Sequence, residues 1–370
     1  MNRLVLIMSL SLYAAYGQAQ DRRYYYESGL DKYDLRDFFG ALEDFSKALE
    51  LDSTVAASYY NMGLAYEGLE KYDEAYEYYY KAVSIDSSDS DFLYAFGSIE
   101  YTMENYQVAI KYFNAALEIS PNYIDAILER GNAKGSLEEY ADALQDYNAA
   151  LMMEPFDGLI YYNRGLNFCD MDQHAKAIKD FTQSISLDAL DSDAFSARGI
   201  CYYHLKKPKQ ALGDLDRAIE LNSMDASAFE YRAGIKEESG NISGALEDYN
   251  IIIERFPADG DFYFQRGALW EIMDKPDLAI KDYDKAIELN PDDYDSRLFR
   301  AEICIDTRAF DKALEDLNNC VRINPKDPDA YYYRAVCHRY FDNQAQYCTD
   351  LIMAKQLGFQ VPSWMLTDCD

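Results

Sequence analysis

The chain has 370 residues, with 66 acidic against 35 basic side chains and a net charge of −31 at pH 7. So large a negative charge excludes a nucleic-acid binder, whose phosphate contacts need a basic surface. A content of 49% hydrophobic residues, with 35 tyrosines, equally excludes a disordered acidic tail.

The first segment stands apart. Arg3 supplies one positive charge, Leu4 to Tyr16 is uncharged and mostly apolar, and Gly17-Gln18-Ala19 sets small residues at the spacing a signal peptidase reads. This predicts a cleaved secretory signal over residues 1–19, and so a periplasmic or extracellular protein. The apolar run of about 13 residues is shorter than the ~20 of a spanning helix, and no later segment is long and uncharged enough, so no integral membrane span is expected.

From residue 22 onward the sequence repeats every 34 residues. Small residues recur at Gly29, Gly63, Gly97, Gly131, Gly165, Gly199, Ala233, Gly267, Ala301 and Ala335. Twelve positions after each stands Ala41, Ala75, Ala109, Ala143, Ala177, Ala211, Ala245, Ala279 or Ala313, with Tyr347 the exception. Four further on comes a large apolar residue, from Phe45, Tyr79 and Phe113 to Leu351, and three beyond that a mostly small one. Spacings of four and three put these positions on one helical face, and the small columns let two helix backbones approach. Each unit is therefore read as a helical hairpin. Pro121, Pro155, Pro257, Pro291 and Pro325 fall where the second helix should stop. Asp89, Asp157, Asp191, Asp225, Asp259, Asp293 and Asp327 precede the next unit as candidate N-caps. Pro208, Pro276 and His174 are assigned to the turns between helices. Residues 20–361 are read as ten tandem units in one elongated domain, with 362–370 a short tail.

A charge pair is written into the same register. Arg130, Arg164, Arg198, Arg232, Arg266, Arg300 and Arg334 precede the small column, and Asp146, Asp180, Asp214, Asp248, Asp282, Asp316 and Asp350 follow it in those same units. Where Arg is missing the Asp mostly is too, as with Met62 and Tyr78 or Phe96 and Tyr112; Ser28 with Asp44 breaks the match. This predicts structural ion pairs between the two helices of one hairpin, not a basic ladder for an anionic ligand.

The pattern resembles the tetratricopeptide repeat, with Tyr161-Tyr162-Asn163-Arg164-Gly165 running on to Ala177 and Phe181 as one readable copy. The resemblance implies an all-α, right-handed superhelical solenoid of stacked antiparallel hairpins, whose concave groove holds other proteins. Arg297, where a bulky apolar residue is usual, and Tyr347 depart from the pattern. The family's groove columns fall here on Tyr26, Tyr60, Tyr94, Tyr162, Phe264 and Tyr332, and on Tyr33, Tyr101 and Tyr203. Tyrosines of the first three units suit an extended peptide or a partner helix, while Glu230, Glu237 and Glu271 make the middle of the groove acidic. Packing between repeats is the competing role for these rings. The column that carries Lys or Arg in carboxylate-clamping members holds Asp91, Asp125, Asp193, Asp261, Asp295 and Asp329, so a partner ending in a clamped carboxylate is not expected.

Three histidines without a catalytic spacing, and no glycine-rich phosphate loop, argue against an enzyme. Cys201 and His204 stand one helical turn apart, but with Cys169 they supply too few ligands for a zinc site. No metal or cofactor is expected. Of the seven cysteines, Cys337 and Cys348 share a hairpin and could bridge, while buried thiols are the simpler reading; Cys369 is the most accessible candidate for an unpaired thiol. The last residues, among them Phe359, Trp364, Met365 and Leu366, are placed either as a lid on the last hairpin or against a partner. The expected function is a noncatalytic protein-interaction scaffold. The alternatives are a structural component of the cell envelope and a chaperone-like binder of exported proteins.

Overall fold

The computed structural model describes residues 19–369, so the expected signal segment lies outside the described residues except for Ala19. Helices and turns make up the described residues, with no strand among them. First helices begin at Ala56, Ser90, Ile124, Gly158, Ser192, Ala226, Gly260, Tyr294 and Pro328, each the first residue of a 34-residue unit. Second helices begin sixteen positions into each unit, from Phe38 and Tyr72 to Gln344. The described hairpins fall into two compact units that part between Ala189 and Leu190, where the unbroken register reads as one domain. Contacts in a repeat stack are local, so periodicity fixes the hairpin without fixing how many compact bodies the hairpins form.

Both turns of the repeat follow from backbone chemistry. All seven candidate N-cap aspartates accept backbone N–H bonds of the helix that follows, for example from Asp91 and Phe92 to Asp89. That satisfies donors the first turn leaves orphaned. The turn inside the hairpin is a Schellman motif repeated ten times. Asp37, Lys71 and Asn105 donate to the carbonyls of Lys32, Tyr66 and Glu100, five residues back, and so on to Asn343 and His338. The residue before each donor has positive φ, from 59° at Arg36 to 52° at Asp342, and only Gly240 is a glycine. This column was not picked out in the sequence, because it holds ordinary charged residues where glycine would have drawn attention. Pro208, Pro276 and His174 lie not in these turns but at the first position of second helices. A proline there gives up only an N–H that has no helical partner anyway.

Inside each hairpin the small column lies under the large residue of the second helix. A Cβ at Gly29, Gly97 or Gly165 would stand 2.6–2.7 Å from the rings of Phe45, Phe113 and Phe181, all fully buried. The twelfth-position alanines are fully buried as well.

The tail folds back on hairpin 10. Met365 is 4% exposed and packs with Ala335, Tyr347 and Leu351, and Phe359 stacks on Tyr332 at 4.2 Å. Tyr347, the lone large residue in an alanine column, donates its hydroxyl to the Met365 carbonyl at 3.0 Å. Its ring thus belongs to the cluster that the tail closes with Met365. A disulfide joins Cys348 to Cys369 across 21 residues, which corrects the reading of Cys369 as an unpaired thiol. The fold-back of the tail brings that distant cysteine over the second helix. Cys337 is buried and carries no bridge. Among the described residues, no helix is long and apolar enough to cross a membrane.

Candidate functional site

The nine aromatic groove residues all sit on first helices and are half-buried. Five of them lean on the large second-helix ring of their own hairpin. The centroid distances are 6.0 Å for Tyr26 and Phe45, 5.9 Å for Tyr60 and Tyr79, and 6.0 Å for Tyr94 and Phe113. Tyr162 and Phe181, and Phe264 and Tyr283, repeat the contact at 5.8 Å. The next hairpin and its approach add to it: Tyr60 meets Phe92 at 5.0 Å, and Tyr94 meets Tyr123, the residue before the next first helix, at 4.9 Å. The column is thus the rim of the core as well as a surface, with one part of each ring packed and another in solvent. Burial and the nearby Asp91 carboxylate push the Tyr60 hydroxyl up to about 12. Tyr33 packs on Phe38 and Tyr101 on Tyr106, each across the turn to the start of the second helix. Tyr203 donates to Glu238 at 2.8 Å, and Tyr332 lies under the tail ring of Phe359, away from any open surface on that side.

Seven arginines hold seven aspartates across their hairpins. Arg164 places Nε and Nη2 on the two Asp180 oxygens at 2.7 and 2.8 Å, and Arg198 does the same to Asp214. Arg130, Arg232, Arg266, Arg300 and Arg334 repeat the fork on Asp146, Asp248, Asp282, Asp316 and Asp350. The aspartates are at most 9% exposed, so both oxygens of each meet the guanidinium inside the hairpin.

A third column escaped the sequence reading. Nη1 of the arginine reaches back to the second helix of the preceding hairpin, bonding Asn114 at 2.7 Å from Arg130, Asn148 at 2.6 Å from Arg164 and Asn250 at 2.8 Å from Arg266. Asp216 serves Arg232 and Asn318 serves Arg334. Each such arginine therefore ties two hairpins together. The signal was present as an Asn/Asp column sixteen residues before the arginine.

The departures have local explanations. In hairpin 1, Asp44 takes Ser28 Oγ and Lys32 Nζ, both at 2.6 Å, in place of an arginine. In hairpins 2 and 3 rings replace charges: Tyr78 stacks on Tyr66 at 5.1 Å, and Phe96 meets Tyr112 edge-on at 4.7 Å. Arg297 donates to the Pro291 carbonyl at 2.8 Å, a role the hydroxyls of Tyr161, Tyr263 and Tyr331 fill toward Pro155, Pro257 and Pro325.

The second unit's first-helix face is acidic. Burial holds the carboxyls of Glu271 and Glu302 above the ordinary range, and Asp306 adds to both shifts. Glu230 is raised by partial burial, with Asp259 and Asp261 beside it. Cys201 is fully buried, and the His204 ring packs edge-on against Tyr203 at 5.6 Å.

Comparison with known proteins bears on the fold. A family model described as tetratricopeptide repeat matches residues 56–89 and 260–293, and two others of that description match 90–123 and 162–228. A tetratricopeptide repeat protein from Parabacteroides merdae is 19% identical, with a TM-score of 0.50 over 68% of this chain and 99% of that one. The C-terminal part of a repeat-containing protein from Cytophaga hutchinsonii is 17% identical, with a TM-score of 0.50 over 64% and 97%. PilW, a type IV pilus biogenesis factor, is 16% identical with a TM-score of 0.51 over 54% and 93%. At these identities the likeness is one of fold. No curated protein matches the sequence significantly.

Proposed function

The chain is a tetratricopeptide repeat protein, and from that premise we propose that its first-helix faces hold an extended peptide or a helix of a partner protein, without catalysis. The family suggests a protein-interaction scaffold; the peptide mode is our reading. The observation that carries it is the row of half-buried rings Tyr26, Tyr60 and Tyr94. Each is held by a core aromatic, so its orientation is fixed before binding and little side-chain freedom is lost. The acidic first-helix face of the second unit favours a partner segment that carries positive charge. Contacts that are weak singly add up along successive hairpins.

Replacing Tyr60 and Tyr94 together by Ala should abolish capture of the partner from extracts while the helical circular dichroism is retained. Undiminished capture would move binding off this face. One stoichiometric partner supports a scaffold, whereas a broad set of unfolded clients supports a chaperone-like binder.

We further propose that the protein is exported. The apolar segment before Gly17-Gln18-Ala19 and the Cys348–Cys369 bridge both support an oxidising, extracytoplasmic compartment. Mass spectrometry of the mature chain should find an N-terminus near Gln20; a retained Met1 would rule out cleavage.

A further inference from the structure

We propose that a recess over Gly135, in the fourth hairpin, is a receptor for the guanidinium of one arginine side chain carried by the partner, an assignment that rests on the peptide-binding reading above. The recess has a volume of about 260 Å³ and is lined from three consecutive first helices, with Tyr101, Gly135 and Asn167 among its walls. It exists because a side chain is missing. The column that carries Tyr33, Glu67, Tyr101 and Cys169 in the first, second, third and fifth hairpins holds glycine in the fourth.

The floor consists of hydrogen-bond acceptors. A Cβ at Gly135 would stand 3.6 Å from Asn167 Oδ1 and 3.9 Å from the Tyr147 hydroxyl oxygen. Asn167 is 3% exposed, and its Nδ2 donates to the Tyr140 carbonyl at 3.2 Å, which fixes the amide with Oδ1 toward the recess. That Oδ1 has no partner among the described residues. A buried acceptor left unbonded keeps its desolvation penalty uncompensated, so the site favours a molecule that brings an N–H. The Tyr147 hydroxyl gives its hydrogen to Asn132 Oδ1 at 2.9 Å and so presents lone pairs as well.

The mouth adds charge. Asp170 follows Asn167 by three residues on the same helical face and lines the opening, its carboxyl raised by partial burial with no cation to offset it. No lysine or arginine lines the recess. Acceptors under Gly135 and an exposed carboxylate in the same lining match a planar group with five forked donors better than a compact ammonium. The Tyr101 ring offers a wall on which that plane can stack.

The test uses the full chain and three small probes, read by the backbone amide shifts of residues 135 and 167 in NMR titrations. N-acetyl-arginine amide should give a saturable shift, and the neutral isostere N-acetyl-citrulline amide should bind at least about tenfold more weakly, the loss of one charge-assisted hydrogen bond. Gly135→Leu, which fills the recess, should abolish the arginine response at Asn167 without lowering the unfolding midpoint. Asp170→Asn should weaken the arginine probe about tenfold and leave the citrulline probe unchanged. Equal binding of the two probes, no saturable shift, or an arginine response that survives Gly135→Leu would overturn the assignment. Putrescine binding more tightly than the arginine probe would overturn the peptide source in favour of a free amine. If Gly135→Leu captures the partner as wild type does while the Tyr60 and Tyr94 double variant does not, the recess falls and the peptide-binding face stands. Full capture by both variants overturns both.

Discussion

Gly97 and Gly234 show how one residue type carries two meanings in a repeat. A Cβ at Gly97 would lie 2.7 Å from the ring of Phe113, which is fully buried and has nowhere to move. Gly97→Ala should cost about 1–3 kcal/mol in chemical denaturation, the usual penalty of overpacking. Nothing lies within 4 Å of a Cβ at Gly234, so Gly234→Ala should raise stability by about 0.5–1 kcal/mol through the unfolded chain. The charged columns obey a similar asymmetry. Asp214→Ala leaves the Arg198 fork without the carboxylate it holds at 2.7 and 2.8 Å. It should cost about 3 kcal/mol, and removing both partners with an apolar pair should cost less. A double-mutant cycle checks this, and a coupling energy near zero would contradict the pairing.

At the scale of the element, the hairpin is a helix stopped by a left-handed residue and restarted by a carboxylate cap. Nine of the ten left-handed positions hold a residue with a Cβ, at φ between 52° and 63°. Gly240→Ala should therefore lose about 1 kcal/mol, and Glu104→Gly should gain up to about 1 kcal/mol, measured as shifts in the unfolding midpoint. The C-terminal tail is the second element-scale device. Deleting residues 362–370 uncovers Tyr347 and Leu351 and opens a 21-residue loop whose closure is worth about 3 kcal/mol. The shortened chain should melt earlier and associate in light scattering; unchanged monodispersity would argue that the tail is not a cap.

For the whole molecule, the net charge of −31 acts through where the carboxylates lie. Those in the aspartate and N-cap columns are fixed in hydrogen bonds. Glu271 and Glu302 are held by burial above their ordinary value of 4.5. A raised folded value means the native state binds the proton more readily than the unfolded chain does. The contribution of these groups to stability is therefore fully present below pH 4.5 and is lost as pH rises through the folded values. Glu302→Gln should accordingly match or exceed wild-type stability at pH 7 and lose that advantage below pH 4.5, as thermal melts across pH would show. A positively charged partner segment should bind this face less tightly as the carboxyls take up protons.

The sequence by itself determined the period, the starts of the first helices and the stops of the second. Those are set by local chemistry: backbone donors orphaned at a helix start need a carboxylate such as Asp89, and Phe113 leaves its facing position room only for glycine. It also determined which arginine faces which aspartate, because paired columns appear and vanish together. Other features depended on how separate segments meet. The Cys348–Cys369 bridge depends on the fold-back of the tail, which periodicity does not describe once the repeats end. The division into two compact units concerns contacts that a nearest-neighbour register leaves unspecified. The reach of Nη1 to the preceding hairpin, and the recess left where Gly135 carries no side chain, come from stacking one hairpin on the next. The tyrosines of the first three units were legible as a column, but only tertiary packing decided how much of each ring the core takes. A first-helix residue lies at the rim of the core, and the second-helix ring it leans on is more than a dozen positions away in sequence.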